Sequence, residues 1–184
     1  MRKPYQREQQ NMAHPEQREF FRKVQQQHPE FFSAVSVIEI GSLNINGTVR
    51  DFFTTSSYVG VDVAPGPGVD VVAEGQDVAD PDASYDIAVS AECFEHNPYW
   101  LETFANMHRL ASKAVMFTCA TDGRPEHGTT RTTPGDSPLT LDWDYYRNLN
   151  EADFRQAFDL DAMFTAYEFA TNPHSHDLYF WGIK

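Results

Sequence analysis

Cysteine is nearly missing from this 184-residue chain, which holds only Cys93 and Cys119. Two thiols with no Cys-x-x-Cys spacing exclude a disulfide scaffold and point to a reducing compartment. Long apolar runs are missing too. No stretch approaches the ~18 apolar residues of a membrane span, and the opening Met1-Arg-Lys-Pro-Tyr-Gln-Arg7 lacks the apolar core of a secretory signal. A cytoplasmic protein without membrane attachment is therefore expected. Positive charge is scarce, since 14 Lys and Arg face 27 Asp and Glu for a formal charge of −13. Such a surface repels phosphate backbones at long range, so nucleic acid is not an expected partner. Internal repeats and low-complexity tracts are absent as well.

What is present is an alternation of short apolar runs and amphipathic stretches. Residues 1–14 are polar and read as a flexible N-terminal segment, and residues 15–184 read as a single domain of ordinary size. Phe20, Phe21 and Val24 recur at helical spacing behind Pro15, predicting a leading helix over 15–27 that His28-Pro29 ends. Strands are predicted over 35–40, 58–63, 69–73, 85–90 and 113–119, with a short helix over 47–53 and an amphipathic one over 98–110. A long loop, 120–143, carries Gly, Pro, Thr and two Arg but little periodicity; loops of this length are often lids or binding segments. Asn150 caps a helix running to 158, and strands over 162–170 and 178–183 close the chain as a hairpin. The alternation gives an α/β class with a doubly wound, mostly parallel sheet.

The chemistry concentrates at strand ends. Glu39-Ile-Gly41-Ser42 closes the first strand and Asp62 closes the second. A turn without Cβ lets backbone approach a ligand, and an acid on the neighbouring strand accepts from ribose hydroxyls. A nucleoside-bearing ligand is expected on those grounds. A pyrophosphate dinucleotide needs Gly-x-Gly-x-x-Gly, and this chain has Ser42-Leu-Asn-Ile-Asn46 after Gly41. That departure disfavours an NAD(P)-dependent oxidoreductase. The structural alternative for Glu39 and Asp62 is simple satisfaction by helix N-termini.

Glu39-Ile-Gly41, Asp62, Gly75-Gln-Asp77 after the third strand and Ser90-Ala-Glu92-Cys-Phe-Glu95-His96 after the fourth together resemble class I S-adenosylmethionine-dependent methyltransferases. The resemblance implies a Rossmann-like seven-stranded sheet in the order 3-2-1-4-5-7-6, with the last strand antiparallel and helices on both faces. It also implies S-adenosyl-L-methionine as cofactor and a small-molecule methyl acceptor. Family members carry two further glycines where this chain has Leu43 and Ile45, which keeps a non-catalytic cofactor-binding module open as an alternative.

By that resemblance Glu39 takes the cofactor's amino group or orients the first loop. Gly41 and Ser42 meet the methionine and ribose portion, Asp62 takes the ribose hydroxyls, and Val63 lies on the adenine. Asp77 and the Val78 amide read the adenine edge, and Ala91 and Glu92 line the sulfonium end. Asp77 is equally an ordinary turn residue.

His96 and His127 are the candidate general bases for an oxygen or nitrogen acceptor. His96 reads equally as a structural cap. Arg124 and Arg131 in the long loop suit an anionic or sugar-containing acceptor, or else pair with Glu126 or Asp136. Tyr145 is a candidate wall of the acceptor site, with Trp143 and Tyr146 beside it. His174-Ser-His176 lacks third and fourth ligands and reads as a hairpin turn, so no metal site is expected.

Overall fold

A single sheet of seven strands organises the chain, in the order β3-β2-β1-β4-β5-β7-β6, as the resemblance implies. The computed structural model describes residues 15–184; the expected flexible segment, 1–14, lies outside the described residues. β1 (Ser33–Ile40), β2 (Thr54–Asp62), β3 (Val71–Val72), β4 (Tyr85–Ala91) and β5 (Ala111–Ala120) run parallel to one another. β7 (Asp177–Ile183) lies antiparallel between β5 and β6 (Ala166–Asn172). Parallel strands are covered on both faces, and the apolar runs of β1, β4 and β5 are buried accordingly.

Each face has its own core. Helix α1 (Pro15–Gln27) lays Phe20, Phe21 and Val24 on Val35, Val37, Ile87, Val89, Met116 and Tyr179. Gln17, buried on the same helix face, donates to the Thr118 hydroxyl at 3.0 Å and ties α1 to β5. The opposite face takes α2 (Trp100–Leu110), α3 (Glu151–Ala157) and α4 (Leu160–Met163), packed on Ile38, Ala88, Val115 and Phe117. Phe104 is fully buried there, edge-on to Phe94, Phe117, Phe154 and Phe180. Truncating such a ring costs about 3–5 kcal/mol.

Several elements differ from expectation, and β2 starts at Thr54, four residues earlier than the expected 58. The helix expected over 47–53 is one 3₁₀ turn, Arg50–Phe52. Gly47 sits at φ 145 and the Thr48 hydroxyl accepts from the Arg50 amide, a local bond that competes with helix. The third strand shrinks from 69–73 to two exposed edge residues. Strand β6 starts four residues later than expected, because Asp159 accepts from the Ala162 amide and caps α4. Asn150 does cap α3, in a reciprocal box with Asp153. Among the described residues no helix is long and apolar enough to cross a membrane.

Candidate functional site

Gly41, Asp62, Ala91 and Glu92 follow or end β1, β2 and β4 on one edge of the sheet, where open α/β sheets hold ligands. They line a cavity of about 140 Å³ with Glu39, Ser42, His96, Arg124 and His127, roofed by residues 136–140 of the long loop. A smaller cavity of about 20 Å³ lies beyond, against Val63, Ala73, Asn97 and Trp143. Gly41, Asp62, Cys93 and Thr140 line both and form the partition. Small-molecule sites usually enclose about 300–1,000 Å³. Neither cavity alone reaches that size.

The turn after β1 is built by exclusion. Gly41 has φ 80, and a Cβ on it would lie 2.5 Å from the Cys93 Cβ. The Gly41 and Ser42 amides both donate to the Val61 carbonyl, at 2.9 and 3.1 Å, which clamps the turn to β2. Beyond it, Leu43 turns its side chain under Gly66, where a Cβ would lie 2.3 Å from Leu43 Cδ1. Gly68, at φ 89, lies against the Ser42 carbonyl, and the Asn44 amide donates to the Pro67 carbonyl at 2.7 Å.

Two carboxylates flank that turn. Asp62 accepts from the Leu43 amide on one oxygen (3.0 Å) and from the Val63 amide on the other (2.8 Å), so its plane is fixed. Burial raises its pKa, and the two amides oppose the rise. Glu39 is only 5% exposed and accepts from the Tyr58 hydroxyl at 2.8 Å. Burial raises its pKa to about 7, against the pull of Tyr58 and Arg50. Arg50 stacks its guanidinium over the Tyr58 ring, 4.3 Å from the centroid, and pairs with Asp70.

After β4 the backbone takes a rare turn, with Glu92 at φ 52. Its Oε1 is sealed from solvent without a hydrogen-bond partner, as is the Ser42 Oγ. Glu95 is fully buried; one oxygen accepts from the Ala120 amide at 3.2 Å and the other has no partner. Burial lifts both carboxyls, with Asp177 adding to the rise at Glu92 and Glu92 to that at Glu95. Two carboxyls this dry and this close do not both ionise at neutral pH.

His96 is 3% exposed, and its ring lies 5.0 Å from His127 and 5.5 Å from Tyr146. Burial, then His127 and Arg124, pull its pKa down to about 3. It is neutral at pH 7 but a weak proton acceptor, because an efficient base titrates near the working pH. Gly128 lets the loop close on this ring, since a Cβ there would lie 2.6 Å from His96 Cε1.

Several expected residues stand apart. Asp77 is exposed, Val78 is buried in the core, and neither lines either of these two cavities. Their turn is held from α2, with Asn106 and Arg109 donating to the Val78 carbonyl and Gly75 wedged between Ile40 and Thr103. Arg131 is exposed on the outside of the loop, bridging Glu126 and Asp144. Arg124 does line the larger cavity, but its guanidinium pairs with the fully buried Asp177 at 2.8 Å. Tyr145 lines neither cavity; its neighbour Tyr146 is the aromatic that walls the imidazole pair. His174 and His176 belong to the β6–β7 turn, which the Asn172 side chain organises. The sequence marks Glu95, beside Glu92 after the fourth strand, and sets Tyr58 at the head of the strand that ends on Asp62, but it does not pair Tyr58 with Glu39 and does not mark Thr118.

No protein-family model matches the chain, and no curated protein matches it. Solved structures do. The YcgJ protein of Bacillus subtilis is 11% identical over 91% of this chain and 98% of its own, at a TM-score of 0.61. A Burkholderia thailandensis 1,6-didemethyltoxoflavin-N1-methyltransferase, solved with bound 1,6-didemethyltoxoflavin and S-adenosylhomocysteine, is 18% identical over 90% of this chain and 78% of its own, at 0.56. A Haemonchus contortus phosphoethanolamine N-methyltransferase, solved with phosphomonomethylethanolamine and S-adenosylhomocysteine, is 11% identical over 89% of this chain and 52% of its own, at 0.59. With its strand order and antiparallel β7, the chain has the fold of the class I S-adenosylmethionine-dependent methyltransferases.

Proposed function

We propose that the chain is an S-adenosylmethionine-dependent methyltransferase acting on a small hydroxyl- or amine-bearing molecule, a sugar derivative among the candidates. The observation that carries this reading is the pairing of Glu39 and Asp62 about Gly41, two carboxylates on adjacent parallel strands flanking a Cβ-free turn. The residues fit the cofactor. Asp62, pinned by two amides, retains lone pairs for a ribose diol. Glu39 is a buried acceptor for an ammonium group, and the unpartnered Ser42 Oγ and Glu92 Oε1 await polar partners. Val63, Ala73 and Trp143 offer an apolar slot for a purine. When bound, S-adenosylmethionine supplies an electrophilic methyl group on a sulfonium.

The chain's own part is positioning and electrostatics. Glu39, Asp62 and Glu92 line the cavity, and the negative charge they carry when ionised favours a cation in a dry site. Glu92, held in its left-handed conformation, lines the larger cavity. His96 and His127, backed by the Tyr146 ring, form the wall against which the acceptor is oriented, and most of the rate gain comes from holding nucleophile and methyl in line. An anionic acceptor is not proposed, because Arg124 and Arg131 already answer Asp177, Glu126 and Asp144.

Calorimetric titration with S-adenosylmethionine, S-adenosylhomocysteine and NAD(P) tests the reading. The expected result is binding of the first two and not the third, with turnover on a panel of small hydroxyl and amine acceptors. Binding without turnover supports the non-catalytic module instead, and binding of NAD(P) alone overturns both.

A further inference from the structure

We propose that Glu95, His96 and His127 form a site for a divalent first-row metal ion of the zinc class, beside the acceptor cavity. One donor atom from each of the three lies within 4.8 Å of those of the other two. Two imidazoles and one carboxylate are a donor set that zinc takes with a fourth position left open. The donors come from separate parts of the chain: Glu95 and His96 from the 3₁₀ turn after β4, and His127 from the long loop 31 residues on.

Unmet valence points the same way. Glu95 Oε2 and His96 Nδ1 are both sealed from solvent and both lack a hydrogen-bond partner. Leaving such groups unpartnered is costly, and a metal ion resolves this for whichever of them ligates it. The surrounding shell is already arranged. The Ala120 amide fixes the other Glu95 oxygen at 3.2 Å. His127 Nδ1 lies 3.1 Å from the Pro125 carbonyl, which places the proton on Nδ1 and the lone pair on Nε2. Gly128 brings the loop against His96 where any side chain would collide. Arg124 also faces the group, and Asp177 answers its charge. A divalent ion here would lower the pKa of a hydroxyl bound at its open position. That role in methyl transfer rests on the function proposed above; the metal site itself does not.

The test is cobalt loading of the full chain after chelation, read by visible absorption, with zinc as competitor. One equivalent of Co²⁺ should bind with a low-symmetry d–d spectrum that Zn²⁺ abolishes. His127→Ala, on a surface loop, and Glu95→Gln, which keeps the side chain's shape, should each weaken cobalt binding at least about tenfold, since even outer-shell changes cost about 10–100-fold. Circular dichroism verifies folding. No stoichiometric cobalt in the wild-type chain, or cobalt binding unchanged in both folded variants, overturns the proposal. S-adenosylhomocysteine titration of the metal-free chain runs alongside: its failure sinks the methyltransferase reading and leaves the cobalt result standing.

Discussion

Replacing Glu39 by Gln should strengthen the fold and weaken the cofactor site, and the two effects should separate with pH. Glu39 is buried on β1 with a pKa raised from 4.5 to about 7, chiefly by burial. A native state that raises an acid's pKa binds its proton more tightly than the unfolded chain does. Between pH 4.5 and about 7, wild-type stability therefore falls as pH rises, and by pH 8 ionising this carboxyl has cost about 3 kcal/mol. The glutamine side chain of the Glu39→Gln variant does not titrate and still accepts from Tyr58. The stability gap, variant minus wild type, should therefore widen by about 2 kcal/mol between pH 5 and pH 8 in urea unfolding.

Cofactor binding should move the opposite way. An ionised Glu39 bonded to an ammonium group is worth about 1.5–3 kcal/mol, so Glu39→Gln should lower affinity for S-adenosylhomocysteine about 10–150-fold at pH 8. Wild-type binding should tighten as pH rises through 7, with proton release detectable by calorimetry in buffers of different ionisation enthalpy. A stability gap that stays constant with pH would refute the burial argument. An unchanged affinity would remove Glu39 from the cofactor's amino group.

Asp62→Ala should weaken S-adenosylhomocysteine binding by about 1–3 kcal/mol, since it removes the ribose acceptor and releases the Leu43 and Val63 amides; calorimetry decides, and wild-type affinity clears Asp62 of the role. Gly41→Ala meets both an unfavourable φ and the Cys93 side chain, and should cost at least about 2 kcal/mol in unfolding free energy. The double variant Gly41→Ala/Cys93→Gly should recover the steric part alone, and recovery of nothing would show that the φ dominates. Arg131→Ala should leave the urea midpoint and any measured kcat/KM unchanged, because its partners lie on the outer surface of the loop; a large loss of kcat/KM would restore Arg131 to the acceptor site.

The sheet was legible because its central strands are buried on both faces, a condition that writes itself into sequence as Val35–Ile40 and Tyr85–Ser90. The strand-end positions were legible for the same reason: once β1, β2 and β4 are placed, Gly41, Asp62 and Glu92 must share an edge. The rest depends on contacts that no local pattern encodes. Asp77 and Val78 followed the right strand, yet the turn carrying them is turned toward α2 by Asn106 and Arg109. Tyr58 reaches Glu39 through strand register, and Gln17 meets Thr118 across 101 residues. The meeting of His96 and His127 needs a glycine at 128 whose purpose appears only when the loop has closed.

Leu43 and Ile45 stand where the family resemblance implies glycines, while Gly66 and Gly68 stand on the facing segment with Leu43 and Ser42 packed into the space they leave. Conformational latitude here belongs to a pair of opposed loops, and in this chain Gly66 and Gly68 supply it from the segment facing Leu43. Restoring glycine at 43 alone would therefore hollow out the interface beneath Gly66, and a faithful reversion would have to exchange both sides at once.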